Sequence, residues 1–236
     1  MKLNGKTYTA ITDYEGIAKV VINKNDIKNL KAGKYAIEIC YEQEILNTVL
    51  EVKQPLSSAS VITVKNIDKK LVLTATLKYD NIPLANKMIT FKFKGKTYTA
   101  KTNKNGIAKV TIKKNVIKKL KAGGKYTAQI SYLHDTIKTT VKVKQLISSK
   151  KIVKVKKKAK KLVLKATLKN GKKPLKNKKI TFKFKGKTYK AKTNKKGIAK
   201  VTIKKNVIKK LKAGKKYSVK IAYLTNVLKT SVKVKK

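Results

Sequence analysis

The fold of this chain is decided by one stretch of sequence that occurs three times. Residues 91–126 read FKFKGKTYTAKTNKNGIAKVTIKKNVIKKLKAGGKY, and residues 182–217 read FKFKGKTYKAKTNKKGIAKVTIKKNVIKKLKAGKKY. A third version occupies residues 1–35 and reads MKLNGKTYTAITDYEGIAKVVINKNDIKNLKAGKY. Equivalent residues of the two later copies, such as Gly106 and Gly197, lie 91 positions apart. Because solenoid repeats are about 20–47 residues long, a period of this length indicates a repeated domain.

Two short polar segments separate the copies and recur with the same period. They read KQPLSSAS (53–60) and KQLISSK (144–150), and each contains a Gln followed by paired Ser residues. The sequence therefore predicts three domains, which are called below the first repeat (1–53), the second repeat (57–144) and the third repeat (148–236).

The first repeat is shorter than the other two. Met1 and Leu3 align with Phe91 and Phe93, so the first repeat has no counterpart of residues 57–90, which supply the first two strands of the second repeat. We expect an N-terminally truncated domain that exposes apolar faces and an unpaired strand edge and is marginally stable in isolation. The two explanations are a misassigned start codon and strands supplied by another chain.

Apolar and polar residues alternate along most of each repeat, which is typical of half-buried β-strands. In the second repeat, Leu71 and Leu73 follow this alternation, and Asn105-Gly106 is a strong turn dipeptide. The segment NVIKKLKAGG (115–124) predicts a single helical turn, with Asn115 as its N-cap and Gly123 as its stop signal. The pattern predicts seven short antiparallel strands per 91-residue repeat, with one helical turn before the penultimate strand.

This order of elements favours an all-β chain of tandem immunoglobulin-like β-sandwiches. No predicted helix is long enough to connect parallel strands; an OB-like or other small barrel is the structural alternative. Three tyrosines, Tyr35, Tyr126 and Tyr217, enter the penultimate strand where a tyrosine corner would lie. Gly106 and Gly197 occupy the predicted turn, so we assign all five residues structural roles.

Three motifs carry a resemblance to a known family. PLANK (83–87), TNKNGIAKV (102–110) and LKAGGKY (120–126) resemble the bacterial-Ig-like repeats of adhesin-like cell-surface proteins, most closely the Lys- and Asn-rich versions from methanogenic archaea. The resemblance covers essentially the whole chain. It implies tandem domains that space or present binding modules at the cell surface, but no ligand, because such repeats share no functional residues. The family also implies a signal peptide and an anchor, and neither is visible in this sequence.

Residues able to perform chemistry are scarce. His134 is the one histidine and lies beside Asp135, so the two form a candidate base and orienting acid, but a surface turn present in one copy favours a structural interpretation. Cys40 is the one cysteine and is expected to be a small buried or half-buried filler. One His and one Cys cannot form a zinc cluster. We predict no enzymatic activity, no cofactor and no metal site.

The carboxylates are distributed unevenly. Seven of the ten lie in the first repeat, and residues 146–236 contain none beside 35 lysines. Because calcium requires several oxygen ligands, usually carboxylates, calcium binding by the third repeat is excluded. A Lys–Asn isopeptide bond is also disfavoured there, since such bonds require an adjacent acid.

Net charge is the dominant property, at +53, and every basic residue is lysine. The segment KIVKVKKKAKK (151–161) resembles a nuclear-import signal in isolation, but its apolar residues align with a first strand. The lysines therefore form either a solvated sheet face, enriched by codon usage, or a surface that contacts polyanions. The candidate polyanion contacts are Lys154, Lys156, Lys157, Lys158, Lys183 and Lys185.

The predicted function is a structural or adhesive module of a tandem-repeat cell-surface protein. Its predicted partners are anionic surface polymers or other cell-surface components, with non-specific nucleic-acid binding in vitro. The alternative is a cytosolic protein that binds nucleic acid non-specifically through lysine electrostatics. No segment reaches the roughly 18 apolar residues that a membrane-spanning helix requires.

Overall fold

The strands and helical turns come from a computed structural model that describes residues 1–28 and 30–236. The first repeat contains β1 (Lys2–Leu3), β2 (Lys6–Thr7), α1 (Lys24–Ile27), β3 (Gly33–Tyr41) and β4 (Glu44–Val52). The second repeat and the segment before it contain β5 (Leu56–Ser57), β6 (Val61–Val64), β7 (Lys70–Tyr79), β8 (Ile82–Pro83), β9 (Met88–Phe93), β10 (Lys96–Lys101), β11 (Ile107–Lys113), α2 (Lys114–Ile117), β12 (Lys125–Tyr132) and β13 (Asp135–Val143). The third repeat and the segment before it contain β14 (Ile147–Ser148), β15 (Ile152–Lys156), β16 (Lys161–Asn170), β17 (Lys173–Pro174), β18 (Lys179–Phe184), β19 (Lys187–Lys192), β20 (Ile198–Lys204), α3 (Lys205–Lys209), β21 (Lys216–Tyr223) and β22 (Asn226–Lys235).

The second and third repeats each contain two sheets. In the third repeat one sheet has the order β15-β22-β21-β18-β19, and in the other β14, β17 and β20 pair with β16. The second repeat has the corresponding sheets β10-β9-β12-β13-β6 and β11-β7-β5, with β8 paired to β7. The fold is thus an all-β, immunoglobulin-like sandwich. In both repeats the seven longest strands are those that the sequence predicts. Each of these two repeats also contains two strands of only two residues.

A strand pairing in the third repeat differs from the antiparallel prediction. β15 runs parallel to β22, with Val153 opposite Val232. The preceding strand β14 pairs antiparallel with β16 in the other sheet. The chain passes from β14 in one sheet to β15 in the other over three residues and keeps its direction. As a result, β15 runs parallel to the last strand, β22.

The core of the third repeat follows the predicted alternation. Leu164 and Leu168 of β16 and Phe182 and Phe184 of β18 are buried and belong to one hydrophobic cluster. Alternate residues of β16 and β18 face solvent, which is the pattern of two sheets packed by their inner faces.

The helical turns lie where the sequence predicts them, but their caps do not. Asn115 lies inside α2, whose N-cap is Lys113, and Lys113 makes no side-chain capping hydrogen bond. The Asn115 prediction was therefore wrong. In the first repeat the residue that aligns with Lys113 is Asn23, and its side chain accepts hydrogen bonds from two backbone N–H groups of α1. Gly123 lies beyond α2 and donates its N–H to the Val143 carbonyl at 2.8 Å.

The chain divides into two compact units. One comprises Met1–Val61, Val72–Val110 and Thr127–Thr140, and the other comprises Ile62–Leu71, Thr111–Tyr126 and Val141–Lys236. The latter unit contains the whole third repeat together with parts of the second, including α2 and most of β6. The domain bounds proposed from the sequence stay predictions. Leu56 and Ile147, just outside those bounds, are buried and belong to β5 and β14.

Within its described residues, the first repeat contains one sheet, in the order β2-β1-β3-β4. Residues 17–22 align with β11, yet the strand pairing described for them is one isolated bridge, between Thr12 and Ala18. β11 pairs with β7, and the first repeat has no counterpart of β7. Consequently Ile27 is 42% exposed, whereas the aligned Ile117 is fully buried.

Candidate functional surfaces

The three corner tyrosines each bond to the backbone just before their own strand. The Tyr217 hydroxyl accepts a hydrogen bond from the Lys212 N–H at 2.8 Å, and Tyr126 makes the same bond with Lys121. In the first repeat the direction is reversed, because the Tyr35 hydroxyl donates to the carbonyl of Lys31. These bonds attach the loop after each helical turn to the penultimate strand.

Gly106 and Gly197 lie in crowded turns and have left-handed backbone conformations that favour glycine. Their φ angles are +72° and +74°. A Cβ on Gly197 would lie 2.5 Å from the carbonyl oxygen of Leu168 and 3.1 Å from Cβ of Pro174. The Gly197 carbonyl also accepts a hydrogen bond from the Leu168 N–H, so this turn is fastened to β16.

A buried hydrogen-bond network joins loops of the second repeat to the last turn of the third. Asn226, which is fully buried, donates from Nδ2 to Oδ1 of Asn66 at 3.0 Å. Its Oδ1 accepts the Leu146 N–H at 2.8 Å. Asn66 in turn donates to Oγ1 of Thr225, and Thr225 donates to the Leu120 carbonyl at 2.7 Å. Every one of these residues belongs to the same compact unit.

Apolar contact supports this junction network. Ile67, next to Asn66, packs against the hydrophobic core of the third repeat, and Leu146 is part of that core. Gln145 also donates to the Val227 carbonyl at 3.3 Å. The sequence-based reasoning missed these residues and treated 144–150 as a linker. One signal was present: at the Asn226 position the earlier repeats carry Asp135 and Glu44.

The candidate polyanion contacts fall in three places, and all are exposed. Lys154, Lys156 and Lys183 lie on one sheet, in β15 and β18. Lys157 and Lys158 follow β15 in the turn before β16. Lys185 is in the β18–β19 hairpin, and its Nζ lies 5.2 Å from the centroid of the Tyr217 ring.

The candidate chemical residues are not assembled into a site. Cys40 is exposed, so the prediction of a buried or half-buried filler was wrong. His134 is exposed in the turn between β12 and β13, and Asp135 beside it is partly buried. Among the described residues, no cluster of three or more His, Cys, Asp or Glu could hold a metal ion.

Several of the carboxylates are paired with lysines. Asp26 bonds to Lys6, and this hydrogen bond lowers the pKa of the Asp26 carboxyl and raises the pKa of the Lys6 ammonium. Glu38 lies 3.6 Å from Nζ of Lys2. These pairs are in the first repeat, so that repeat offsets part of its own positive charge.

Searches for related proteins give no family assignment. No protein-family model matches the chain, and no curated protein matches it. Nor does any helix in the described part of the chain have the length and apolar character needed to cross a membrane.

Solved structures with a similar arrangement of strands are distant. A Ca2+-stabilized adhesin of an Antarctic bacterium that binds ice is 15% identical with a TM-score of 0.26; the match covers 99% of this chain but only 64% of that one. The D0-D1 domain of intimin is 21% identical, covering 75% and 94% of the two chains, with a TM-score of 0.30. A putative membrane anchored protein from Corynebacterium diphtheriae is 9% identical, covering 81% and 55%, with a TM-score of 0.38. Scores this low carry no argument about function, so the fold assignment rests on the sheets themselves.

Proposed function

We propose that this chain is a structural or adhesive module of a tandem-repeat protein at the cell surface or outside the cell. In this role it spaces or presents binding modules and contacts anionic polymers through its lysines. The observation that carries the proposal is the buried junction network around Asn226, since a spacer must hold consecutive domains in a fixed arrangement.

The junction has the properties of a rigid connection. The Asn66 and Asn226 side chains are 1% and 0% exposed, so water cannot replace their partners without opening the junction. Leaving a buried donor or acceptor unpaired costs about 1–3 kcal/mol, which favours one geometry over alternatives. Ile67 adds apolar burial at the same place.

The junction before the second repeat lacks the same groups. Pro55 stands at the position of Leu146 and has no N–H to donate. Asp135 stands at the position of Asn226, and it has no amide NH2 group to donate the bond that Asn226 gives to Asn66. We therefore expect the connection between the second and third repeats to be the more rigid of the two.

Electrostatic contact is the second part of the proposal. The net charge of +53 creates a strong positive field, and polyanionic surface polymers are the partners that such a field attracts. Non-specific nucleic-acid binding follows from the same field in vitro.

The rigid junction is tested by measuring a distance between the two later repeats. Spin labels are placed at the aligned, exposed positions Thr99→Cys and Lys190→Cys in a Cys40→Ser background. Double electron–electron resonance should give a narrow distance distribution for this parent. Asn226→Ala should broaden it, because Asn66 and the Leu146 N–H lose their buried partner.

The matched control is Asp135→Ala, which truncates the aligned residue of the second repeat outside the junction network. It should leave the distribution narrow. A distribution that is already broad in the parent, or that Asn226→Ala leaves unchanged, would contradict the spacer function.

A further inference from the structure

Two rows of lysines cross the outer face of the five-stranded sheet in the third repeat. In each row three lysines lie directly opposite one another on three neighbouring strands. One row joins β15, β22 and β21, and the other joins β22, β21 and β18. The lysine rows are Lys154–Lys233–Lys216 and Lys229–Lys220–Lys183.

These rows are electrostatically unfavourable in the free protein. Neighbouring strands are about 4.8 Å apart, and like charges directly opposite each other destabilise a sheet. All six lysines are exposed, and residues 146–236 contain no carboxylate to offset them. A bound anion would relieve this repulsion, whereas water and salt only screen it.

The other two repeats interrupt the rows at the same positions. In the second repeat Thr63 aligns with Lys154, and Gln129 aligns with Lys220 and lies opposite Lys92. In the first repeat each row contains a glutamate, because Glu51 lies opposite Lys34 and Glu38 lies opposite Lys2. On this sheet face the two rows therefore contain glutamates paired with lysines in the first repeat, neutral residues among the lysines in the second, and only lysines in the third.

A shallow depression of about 390 Å³ lies on this face between the two rows. Ser218 and Ser231 are directly opposite each other and contribute hydroxyls to its lining. Lys216 and Lys229, one from each row, also line it, as does Lys151. The Ser231 hydroxyl donates to the Lys151 carbonyl at 3.4 Å, so the Ser218 hydroxyl is the donor that, flanked by ammonium groups, suits a carboxylate or sulfate group.

We propose that the lysine rows and this depression bind a linear acidic polysaccharide. Its carboxylate or sulfate groups lie along the two rows and over Ser218 and Ser231. The inference rests on the electrostatic part of the proposed function and assigns it to one face of one repeat.

Nucleic acid suits this face less well than an acidic polysaccharide does. The chain contains no arginine, which is the side chain that reads guanine with two hydrogen bonds. Tyr217 and Tyr223 on β21 are partly buried, and Tyr217 packs against the core, so they do not form an exposed platform for stacked bases.

The test uses the full chain and two double variants that remove the same charge from the same repeat. The face variant, Lys154→Thr/Lys220→Gln, copies the residues of the second repeat. The control variant, Lys165→Thr/Lys200→Gln, removes a directly opposed lysine pair from the other sheet. Binding to heparin, to polygalacturonate and to a random-sequence DNA duplex is measured by titration calorimetry between 50 and 200 mM NaCl.

The face variant should bind heparin and polygalacturonate at least about tenfold more weakly than the wild type, and its affinity should depend less steeply on salt concentration because fewer counterions are released. The control variant should lose less than about threefold in affinity, and thermal melts should show that both variants fold.

Equal losses of affinity in the two variants would overturn the assignment to this face while leaving electrostatic contact intact. Tighter binding to the duplex than to both polysaccharides would overturn the choice of partner. No binding by the wild type would overturn both this inference and electrostatic contact, but not the spacer function.

Discussion

At the scale of single residues, two glycines of the third repeat separate backbone strain from crowding. Gly186 and Gly197 have nearly equal φ angles, +73° and +74°, but only Gly197 has atoms within 4 Å of an added Cβ. Gly186→Ala should cost about 1 kcal/mol of unfolding free energy, the cost of a left-handed conformation. Gly197→Ala should cost at least about 3 kcal/mol, because its Cβ also meets the Leu168 carbonyl and Pro174. Urea unfolding of the full-length variants measures the difference, and equal costs would show that the crowding is relieved by a small shift.

Tyr217 combines a hydrogen bond with packing, and two substitutions distinguish these contributions. Tyr217→Phe keeps the ring but leaves the Lys212 N–H without its acceptor, so it should cost about 1–2 kcal/mol. Tyr217→Ala also removes the ring that packs against the core and should cost about 3 kcal/mol or more. Thermal unfolding measures both. A Phe variant as stable as the wild type would mean that the tyrosine acts only as filler.

At the scale of elements, residues 17–22 have no partner strand, and this absence predicts a difference in local stability. Residues 17–22 and 107–112 are similar in sequence, but only the latter form a strand, β11, which pairs with β7. Amide hydrogens exchange through local opening, and unpaired segments open at almost no cost. In the full chain, exchange at 17–22 should be at least about 100-fold faster than at 107–112. Mass spectrometry of the aligned peptides measures this, and similar protection would mean that another segment covers the first repeat.

The elements themselves were largely predictable from the sequence, and the reason is local. Alternation along residues such as Leu162 and Leu164 fixes which face of β16 is buried, whatever its neighbours are. The parallel pairing of β15 was not predictable, because the direction of a pairing depends on where the chain crosses between sheets. Cys40 aligns with the half-buried Ser131 and Ala222, which alternate with the buried Ile130 and Ile221, so its exposure follows from its position on the outward side of β3.

The candidate surfaces were less predictable than the fold. Lys154 and Lys183 could be assigned to outward faces from alternation alone, but their membership of three-lysine rows depends on the strand order β15-β22-β21-β18. The Asn66–Asn226 bond joins residues 160 positions apart, and no local pattern indicates such a contact. The usable signal was a departure from the pattern of the other repeats, since Asn226 aligns with two acidic residues, Asp135 and Glu44.

At the scale of the whole molecule, charge increases along the chain while the fold is repeated. The first repeat contains seven of the ten carboxylates, and residues 146–236 contain none. Repeats with the same sequence pattern therefore have different electrostatic self-energies. Because a large net charge destabilises a compact state through repulsion, the third repeat should be the most sensitive of the three to ionic strength.

This charge gradient predicts a salt effect on stability that differs between two nearly identical strands, β9 and β18. The Debye length shortens from about 20–30 Å at 0.01–0.02 M salt to about 7–8 Å at 0.2 M, so added NaCl screens repulsion across a whole domain. Amide exchange in β18 should slow by about tenfold between these concentrations, equivalent to about 1.4 kcal/mol of added stability. Amide exchange in the aligned β9 should slow by less than about threefold. Thr63 and Gln129 interrupt the lysine rows of its sheet, and its repeat also contains three carboxylates, Asp68, Asp80 and Asp135.

Hydrogen exchange of the full chain, followed by mass spectrometry on peptides from both strands, makes each strand the control for the other. The same slowing in both would show that the destabilising charge is spread evenly along the chain, and no slowing in either would show that lysine repulsion contributes little to the stability of these sandwiches.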